Sequence, residues 1–391
     1  MKITLQNTPE QAELIKAMAS KNRDVAYEAQ TALAEFIGPV LAEVVNTAPT
    51  VSNMFTSLQF NSDESPSIPL DLYHDITDED YIQVWSQSVP GGLPTNQVAP
   101  SQSELKFTTY TLDSALSFDK RYASRSRLDV VSKTFTRMAQ EILLKQEKTS
   151  ASMIMTALAK ASTNSSTDKE NHVMRSAQKG RFLLSDLNKL FTKAKRINTS
   201  WTGGTPADRR GRGITDLLVS PEIVEEIRGL AYNPINTVSA NGGKLVDSSD
   251  GIAGTDTMRD AIFNSAGIPE FYGVSIQEYN EMGAGQKWND VFKLAAGEIE
   301  YDGHYAVTDA ARKFGRNAAD DTAVSEQILV GVDLSRESMI RAVATDSESG
   351  DEFSLVSDDQ FVTRQSKIGY YGSLEEGRMI IDDRVLLGLI V

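Results

Sequence analysis

Residues 130–161, VVSKTFTRMAQEILLKQEKTSASMIMTALAKA, decide the fold, because these 32 residues contain neither Gly nor Pro. A helix of this length would be about 48 Å long, roughly three times the length of an ordinary globular helix. Val131, Phe135, Met138 and Ile142 follow one another at intervals of four, three and four residues, so they share one face of the helix. The sequence therefore predicts one very long amphipathic helix.

The apolar face of this helix is interrupted in its middle. Gln146 and Thr149 continue the face, and Met153 and Ala157 resume it. A free-standing coiled coil needs an unbroken apolar seam, so we expect the helix to lie across a sheet, after a cap at Ser126 or Asp129.

The first 50 residues read as two helical stretches. Thr8-Pro9-Glu10-Gln11 has the capping residue, the proline and the glutamine that begin a helix, which we expect to reach about Ala19. A second stretch begins near Asp24 and is expected to break at Gly38-Pro39. Neither stretch is long or apolar enough to be a domain, which predicts an arm that leans on another surface.

Residues 51–120 change to the two-residue alternation of half-buried strands. Ile68, Leu70 and Leu72 alternate with polar residues or proline, and Leu105 and Phe107 do so in a second run. Between the two runs, SVPGGLPTNQVAP (88–100) is typical of a loop tip. An isolated two-stranded hairpin is only marginally stable in water, so this excursion is expected to need a neighbouring surface.

The remainder of the chain predicts alternating strands and helices. A helical segment is expected over 181–196, and Leu217–Val219 reads as a buried strand before a helix over 221–230 that Ser220 and Pro221 begin. The same order of strand then helix is predicted for 328–343. Further strands are predicted at 273–280, 352–357 and 379–391.

Composition excludes several classes of protein. The 391 residues include no Cys, which excludes disulfides and thiolate metal sites. The start has no apolar signal segment, and no apolar run approaches the length of about 20 residues that crosses a membrane. The net charge of −15 argues against a protein that grips nucleic acid over its whole surface.

The charge is unevenly distributed along the chain. Residues 24–105 carry twelve acidic and no basic side chains, and a basic stretch follows directly. One interpretation is a solvated acidic loop beside the start of a basic helix; the other is a charge-complementary contact between two copies of the chain. The residues of that contact would be Asp75, Asp78, Glu79 and Asp80 on the acidic side and Arg121, Arg125 and Arg127 on the basic side.

Motifs of catalysis and cofactor binding are absent from the sequence. There is no phosphate-binding loop, no nucleophile elbow and no zinc-protease motif, and the three histidines lie far apart. The acidic runs 247–251 and 346–352 read as turns and not as calcium loops. We therefore predict no catalytic, cofactor-binding or metal-binding residues.

A basic cluster lies in the Gly-rich stretch near Trp201 and consists of Arg209, Arg210 and Arg212. Its partner could be nucleic acid, which arginine and aromatic side chains can bind, or an acidic surface of a neighbouring protein. The net charge of −15 favours the protein partner.

The order of these parts resembles the major capsid proteins of tailed phages, with the Hong Kong 97-type fold. The resemblance is carried by the acidic excursion, the long helix, the stretch LLVSPEIVEEI (217–227) and the closing run GRMIIDDRVLLGLIV (377–391). It implies an α+β chain with an N-terminal arm (1–55), an extended β-hairpin loop (56–120), a peripheral domain (121–214) whose spine helix covers about 128–161, an axial domain (215–345) and return strands (346–391).

The resemblance also implies a function. Such a chain is not an enzyme and needs no cofactor; copies assemble into hexamers and pentamers of an icosahedral shell around double-stranded DNA, which they contact without sequence specificity. Assembly in the host cytoplasm, incorporation into the virion, and scaffold, portal and cement proteins as further partners belong to the same expectation. The alternatives are an encapsulin-like nanocompartment shell, a soluble α+β enzyme and a tail or baseplate component.

Some relatives cross-link a hairpin lysine to an asparagine of a neighbour, and many lose an N-terminal scaffolding segment to a protease. Residues 24–105 contain no Lys, and the first 50 residues are short for such a segment, so we expect neither a covalent shell nor maturation cleavage.

We predict that assembled material boiled in SDS migrates as a single band near the chain mass of 42.8 kDa on a denaturing gel. The reason is that only non-covalent contacts are available to the hairpin. A ladder of covalent multimers would contradict this prediction.

Overall fold

The computed structural model describes residues 8–48, 50–61, 65–69, 104–125, 127–163, 172–176, 182–197, 213–232, 273–284, 286–295, 327–334, 338–345, 352–358 and 367–391. The helices of these residues are α1 (Pro9–Met18), α2 (Arg23–Thr47), α3 (Lys120–Ser124), α4 (Leu128–Thr163), α5 (Leu184–Ile197), α6 (Pro221–Tyr232) and α7 (Lys287–Ala295). The strands are β1 (Thr56–Asn61), β2 (Ser67–Pro69), β3 (Glu104–Lys106), β4 (Thr109–Asp119), β5 (Val173–Arg175), β6 (Asp216–Val219), β7 (Ser275–Glu278), β8 (Ile328–Val332), β9 (Met339–Thr345), β10 (Ser354–Asp358), β11 (Lys367–Ile380) and β12 (Leu386–Ile390). The predicted α+β class is confirmed.

The chain divides into two compact units. The first unit comprises Met1–Pro69, Gln102–Ala151 and Met339–Met379, and the second comprises Leu70–Ser101, Ser152–Ser338 and Ile380–Val391. Each unit consists of three separate stretches of sequence. Strands that are distant in sequence therefore pair to form each unit. The predicted division into arm, hairpin, peripheral and axial domains stays a prediction.

The first unit contains a five-stranded sheet covered by helices. Its strand order is β1-β9-β11-β10, and β4 pairs with β11. Strands β4 and β11 are antiparallel over eleven residue pairs, from Lys367 opposite Asp119 to Gly377 opposite Thr109, whereas β1 and β9 are parallel. A separate two-stranded ribbon pairs β2 with β3, which is the described base of the predicted hairpin; residues 70–103, including its tip, lie outside the described residues.

The core of the first unit joins α2 and α4 to this sheet. Phe135 of α4 packs edge-on against Tyr370 of β11, with ring centroids 5.3 Å apart, and Ile37 and Leu41 of α2 belong to the same cluster. A Cβ at Gly372 would lie 2.3 Å from the Cε of Met138 and 2.5 Å from the Cζ of Phe353, so a larger residue here would have to displace both side chains from the core.

The second unit contains another five-stranded sheet, of order β5-β12-β8-β6-β7. Strands β8 and β12 are buried at every residue, and α5 and α6 contribute Leu187, Leu190 and Ile223 to the apolar cluster beside them. Helix α6 begins as predicted, because the Ser220 hydroxyl accepts a hydrogen bond from the Ile223 amide at 3.3 Å.

The predicted break in the second helix is wrong. Helix α2 continues from Arg23 through Pro39 to Thr47. An internal proline removes one hydrogen bond and costs about 3 kcal/mol. Ile37, Leu41 and Val45 are buried on both sides of it, and each buried aliphatic side chain contributes roughly 1.5–3 kcal/mol, so packing outweighs the local penalty.

Two further details of the sequence reading need correction. The 328–343 region is not a strand followed by a helix: β8 is followed by β9, and six of the seven β9 residues are buried, so β9 shows no two-residue alternation. In the second half of α4 the buried positions include Ile154, Met155, Leu158 and Ala159, while Met153 and Ala157 are half-buried, so the core-facing side is centred beside the predicted one.

Candidate protein-contact surface

A buried cluster of charged and polar side chains links the sheet of the first unit to helix α4. The Glu376 carboxylate of β11 has no exposed surface and accepts hydrogen bonds from four side chains. The donors are Tyr110 Oη at 2.8 Å, Gln146 Nε2 at 3.0 Å, Arg341 Nε at 2.9 Å and Arg378 Nη2 at 3.1 Å. The carboxylate therefore ties three strands of the sheet (β4, β9 and β11) to the long helix α4.

Arg378 extends this cluster to the segment before β1. Its Nη2 donates to the Ser52 hydroxyl at 2.8 Å and its Nη1 to the Gln146 carbonyl at 3.3 Å. The guanidinium also lies over the Phe55 ring, 5.6 Å from its centroid, a distance at which cations and aromatic faces attract.

The charges of the cluster set the ionisation of Glu376. Burial by itself raises the pKa of this carboxyl, but the positive charges of Arg378 and Arg341, with the hydrogen bonds from Arg378 and Tyr110, outweigh burial and lower the pKa below its ordinary value. A carboxyl with a lowered folded pKa stabilises the fold above its unfolded pKa, and this contribution is lost as the pH falls through the folded pKa.

Tyr110 shows the opposite response. Burial, followed by the nearby Glu376 carboxylate, raises the pKa of Tyr110 to about 12. The phenol is therefore neutral in the folded chain at pH values where an unfolded tyrosine, with a pKa near 10, has ionised. The contribution of this group to stability is complete below pH 10 and is lost as the pH rises toward 12.

Sequence reasoning did not find this cluster. One signal was present: Gln146 lies on the apolar face of α4, and a buried amide needs a hydrogen-bond partner. The partner, Glu376, lies 230 residues further along the chain, and no local pattern connects the two.

The surface of the first unit differs from that of the second. Among the described residues, all the large apolar side chains that are exposed belong to the first unit; they are Val25, Tyr27, Phe36, Val40, Leu58, Tyr122, Leu144, Val356 and Tyr371. Val356 and Tyr371 are directly opposite one another on β10 and β11, so they form one patch. Contiguous exposed apolar surface is typical of protein–protein contact.

The basic residues predicted at the start of the long helix are exposed. Arg121 pairs with Asp119, with its Nη2 2.9 Å from the carboxylate, and this arginine lowers the pKa of Asp119 through hydrogen bonds. Arg125 and Arg127 are also exposed, and no ion pair of either is found in the described part of the chain. The acidic residues Asp75, Asp78, Glu79 and Asp80 and the cluster Arg209, Arg210 and Arg212 lie outside the described residues, so the predicted contact stays a prediction.

Within the described ranges there is no group of three or more histidine, aspartate or glutamate side chains that could hold a metal ion. His172 is buried, and its Nδ1 lies 2.9 Å from the Leu386 carbonyl oxygen. No helix in these ranges has the length and apolar character to span a membrane.

Comparisons with known proteins give structural similarity without sequence similarity. No protein-family model matches the chain, and no curated protein sequence matches it. The solved structures to which it is similar include the capsid of cyanophage P-SCSP1u, with 13% identity over 86% of each chain and a TM-score of 0.42. The head of Helicobacter pylori bacteriophage KHP40 has 10% identity over 88% of each chain and a TM-score of 0.42.

A third similar structure is the holo-SrpI encapsulin complex from Synechococcus elongatus, with 9% identity over 86% of this chain and 85% of the other, and a TM-score of 0.39. The sequence analysis predicted a resemblance to phage capsid proteins, and phage capsids are among the solved structures to which the chain is similar. The similarity concerns the fold alone, and the function proposed below rests on the chain's own residues.

We predict that Glu376→Gln lowers the free energy of unfolding by about 3–5 kcal/mol at pH 7, because it removes the buried charge with which the Arg378 guanidinium is paired. Denaturant unfolding measures the change. The matched control is Glu375→Gln, one residue away and half-buried, for which we expect a change within about 0.5 kcal/mol. The difference between wild type and Glu376→Gln should shrink as the pH falls below about 4; a difference independent of pH would contradict the assignment.

Proposed function

We propose that this chain is the major capsid protein of a tailed double-stranded DNA phage, and that its copies assemble into an icosahedral shell around the genome. The observation that carries the proposal is the concentration of exposed apolar side chains on the first unit, of which Phe36 is 57% and Val356 52% exposed. Surfaces of this kind are covered when protein subunits associate.

The two-stranded ribbon supports self-association. Among the described residues, strands β2 and β3 pair over Ser67–Pro69 and Glu104–Lys106, and they form a sheet separate from the two five-stranded sheets. The polypeptide between them, 70–103, contains five acidic residues and neither Lys nor Arg. Because a two-stranded ribbon is marginal on its own, we propose that this excursion lies on a neighbouring copy, where Asp75, Asp78, Glu79 and Asp80 meet basic side chains.

The charge of the chain fits a container for DNA. A net charge of −15 weakens attraction to phosphate, so packaged DNA would be enclosed without being gripped. The proposed partners are further copies of the chain in hexamers and pentamers, DNA without sequence-specific contact, and scaffold, portal and cement proteins. The proposed location is the virion, after assembly in the cytoplasm of a bacterial host.

A nanocompartment shell is the second candidate, because the same exposed apolar surface would serve any closed protein shell. The two differ in their contents, which are DNA in one case and a cargo protein in the other. For an enzymatic role there is no specific observation of this kind.

We expect purified protein to form closed shells, or rings of five and six subunits, in negative-stain electron microscopy, with particle masses from light scattering that are large multiples of the chain mass. A monodisperse monomer or dimer across a range of salt and crowding conditions would contradict the proposal. In native particles, nuclease-protected DNA supports the phage capsid, and an enclosed protein without DNA supports the nanocompartment.

A further inference from the structure

The outward side of helix α2 combines apolar and acidic residues. One side of the helix packs in the core through Leu33, Ile37 and Leu41. On the other side, Val25, Phe36 and Val40 are 42%, 57% and 36% exposed. Phe36 therefore does not pack in the core of the single chain, and its exposure is not explained by the fold of that chain.

Carboxylates flank these apolar residues. Asp24, Glu28 and Glu35 are all exposed on α2, and no ion pair of any of the three is found in the described part of the chain. We call Asp24, Val25, Glu28, Glu35, Phe36 and Val40 the acidic helix face. A surface of this composition matches a partner that brings cations together with apolar or aromatic area.

The chain itself presents such a partner surface at α3 and the turn before α4. Tyr122 is 46% exposed, and Arg121, Arg125 and Arg127 are exposed around it. We call these four residues the basic corner. Arg121 is paired with Asp119, whereas no ion pair of Arg125 or Arg127 is found in the described ranges.

We propose that the acidic helix face of one copy binds the basic corner of a second copy. The contact pairs Glu28 and Glu35 with Arg125 and Arg127, and it covers Phe36 with Tyr122 and the arginine side chains. This contact rests on the proposed shell function and assigns the acidic side of one interface to α2. It takes the arginines that the sequence analysis paired with the 70–103 excursion and gives them α2 carboxylates as partners; the excursion would then meet other basic side chains.

Energetic considerations favour a contact between the two surfaces over two surfaces whose charges both stay in water. Isolated surface ion pairs contribute only about 0–1 kcal/mol, but pairs beside an aromatic contact that excludes water contribute more, and they set the orientation of the partners. The large apolar residues at the centre, Phe36 and Tyr122, supply the contact area. The interaction should therefore weaken with rising salt without being abolished.

The test reverses the charges on each side and then on both. Glu28→Lys/Glu35→Lys places like charges opposite the basic corner, and Arg125→Glu/Arg127→Glu does the same from the other side. We expect each double variant to raise the protein concentration needed for assembly by about tenfold or more. The quadruple variant restores opposite charges across the contact, so its assembly should return to within about threefold of wild type.

Controls separate this contact from folding and from net charge. Glu13→Lys/Glu225→Lys changes the net charge equally at exposed helix positions outside the acidic helix face and should assemble like wild type. Phe36→Ala should reduce assembly while leaving the melting temperature of the unassembled chain unchanged or slightly raised, because alanine is the better helix former at an exposed site.

Three outcomes overturn the proposal. Assembly of either charge-reversal variant at the wild-type concentration excludes the contact. Failure of the quadruple variant to recover, with a wild-type melting temperature, shows that the two surfaces do not face one another. Equal loss of assembly in the Glu13→Lys/Glu225→Lys control shows an effect of net charge. A wild-type chain that forms no shells refutes the proposed function itself, and that result is distinguishable from these three.

Discussion

The buried Glu376 carboxylate is the interaction on which the first unit depends. It is the common acceptor for Tyr110 on β4, Gln146 on α4, Arg341 on β9 and Arg378 on β11. A charge with no exposed surface is costly unless it is paired with an opposite charge and accepts or donates hydrogen bonds. The position of each of these elements is therefore coupled to the others through one side chain, in addition to the apolar packing beside it.

This cluster accounts for the break in the apolar face of the long helix. Gln146 lies where a hydrophobic residue would continue the face, and its Nε2 donates to Glu376. Ser150, one turn further on, is also buried and donates to the Gln146 carbonyl at 2.7 Å. Apolar packing by Phe135 and Met138 precedes the polar turn, and Ile154 and Leu158 are buried after it. The helix is thus matched to different environments along its length.

The sequence predicted the elements whose causes are local. Helices α1 and α6 follow from helical periodicity with a capping residue and an initial proline, and Thr8 and Ser220 do cap their helices. The long helix follows from periodicity without Gly or Pro; it begins at Leu128, so Asp129 lies in its first turn and is not the predicted cap, and Ser126 lies outside the described residues. The paired bases of the hairpin at Ser67 and Lys106 follow from alternation. Elements that tertiary packing determines were missed: β9 is buried on both faces and carries no alternation, and α2 passes through Pro39 because its neighbours are buried.

The contact surface was predictable only in part. The basic residues after β4 were singled out from charge alone, and the structure places Arg125 and Arg127 on the surface. The exposed Phe36 was not singled out, because a phenylalanine in a helical sequence ordinarily indicates core, and only the three-dimensional arrangement shows which side of α2 faces the sheet. Likewise, Val356 and Tyr371 meet across β10 and β11, a pairing that sequence spacing does not reveal.

The central claim is that the exposed apolar residues of the first unit become covered when copies of the chain associate. Hydroxyl-radical footprinting read by mass spectrometry tests it most directly, on dilute unassembled protein and on concentrated or shell-assembled protein, with buried Phe135 as the internal reference. The account predicts that oxidation of Phe36, Tyr122 and Tyr371 falls several-fold on assembly while Phe135 stays unreactive. Equal oxidation of these three residues in both samples would contradict it.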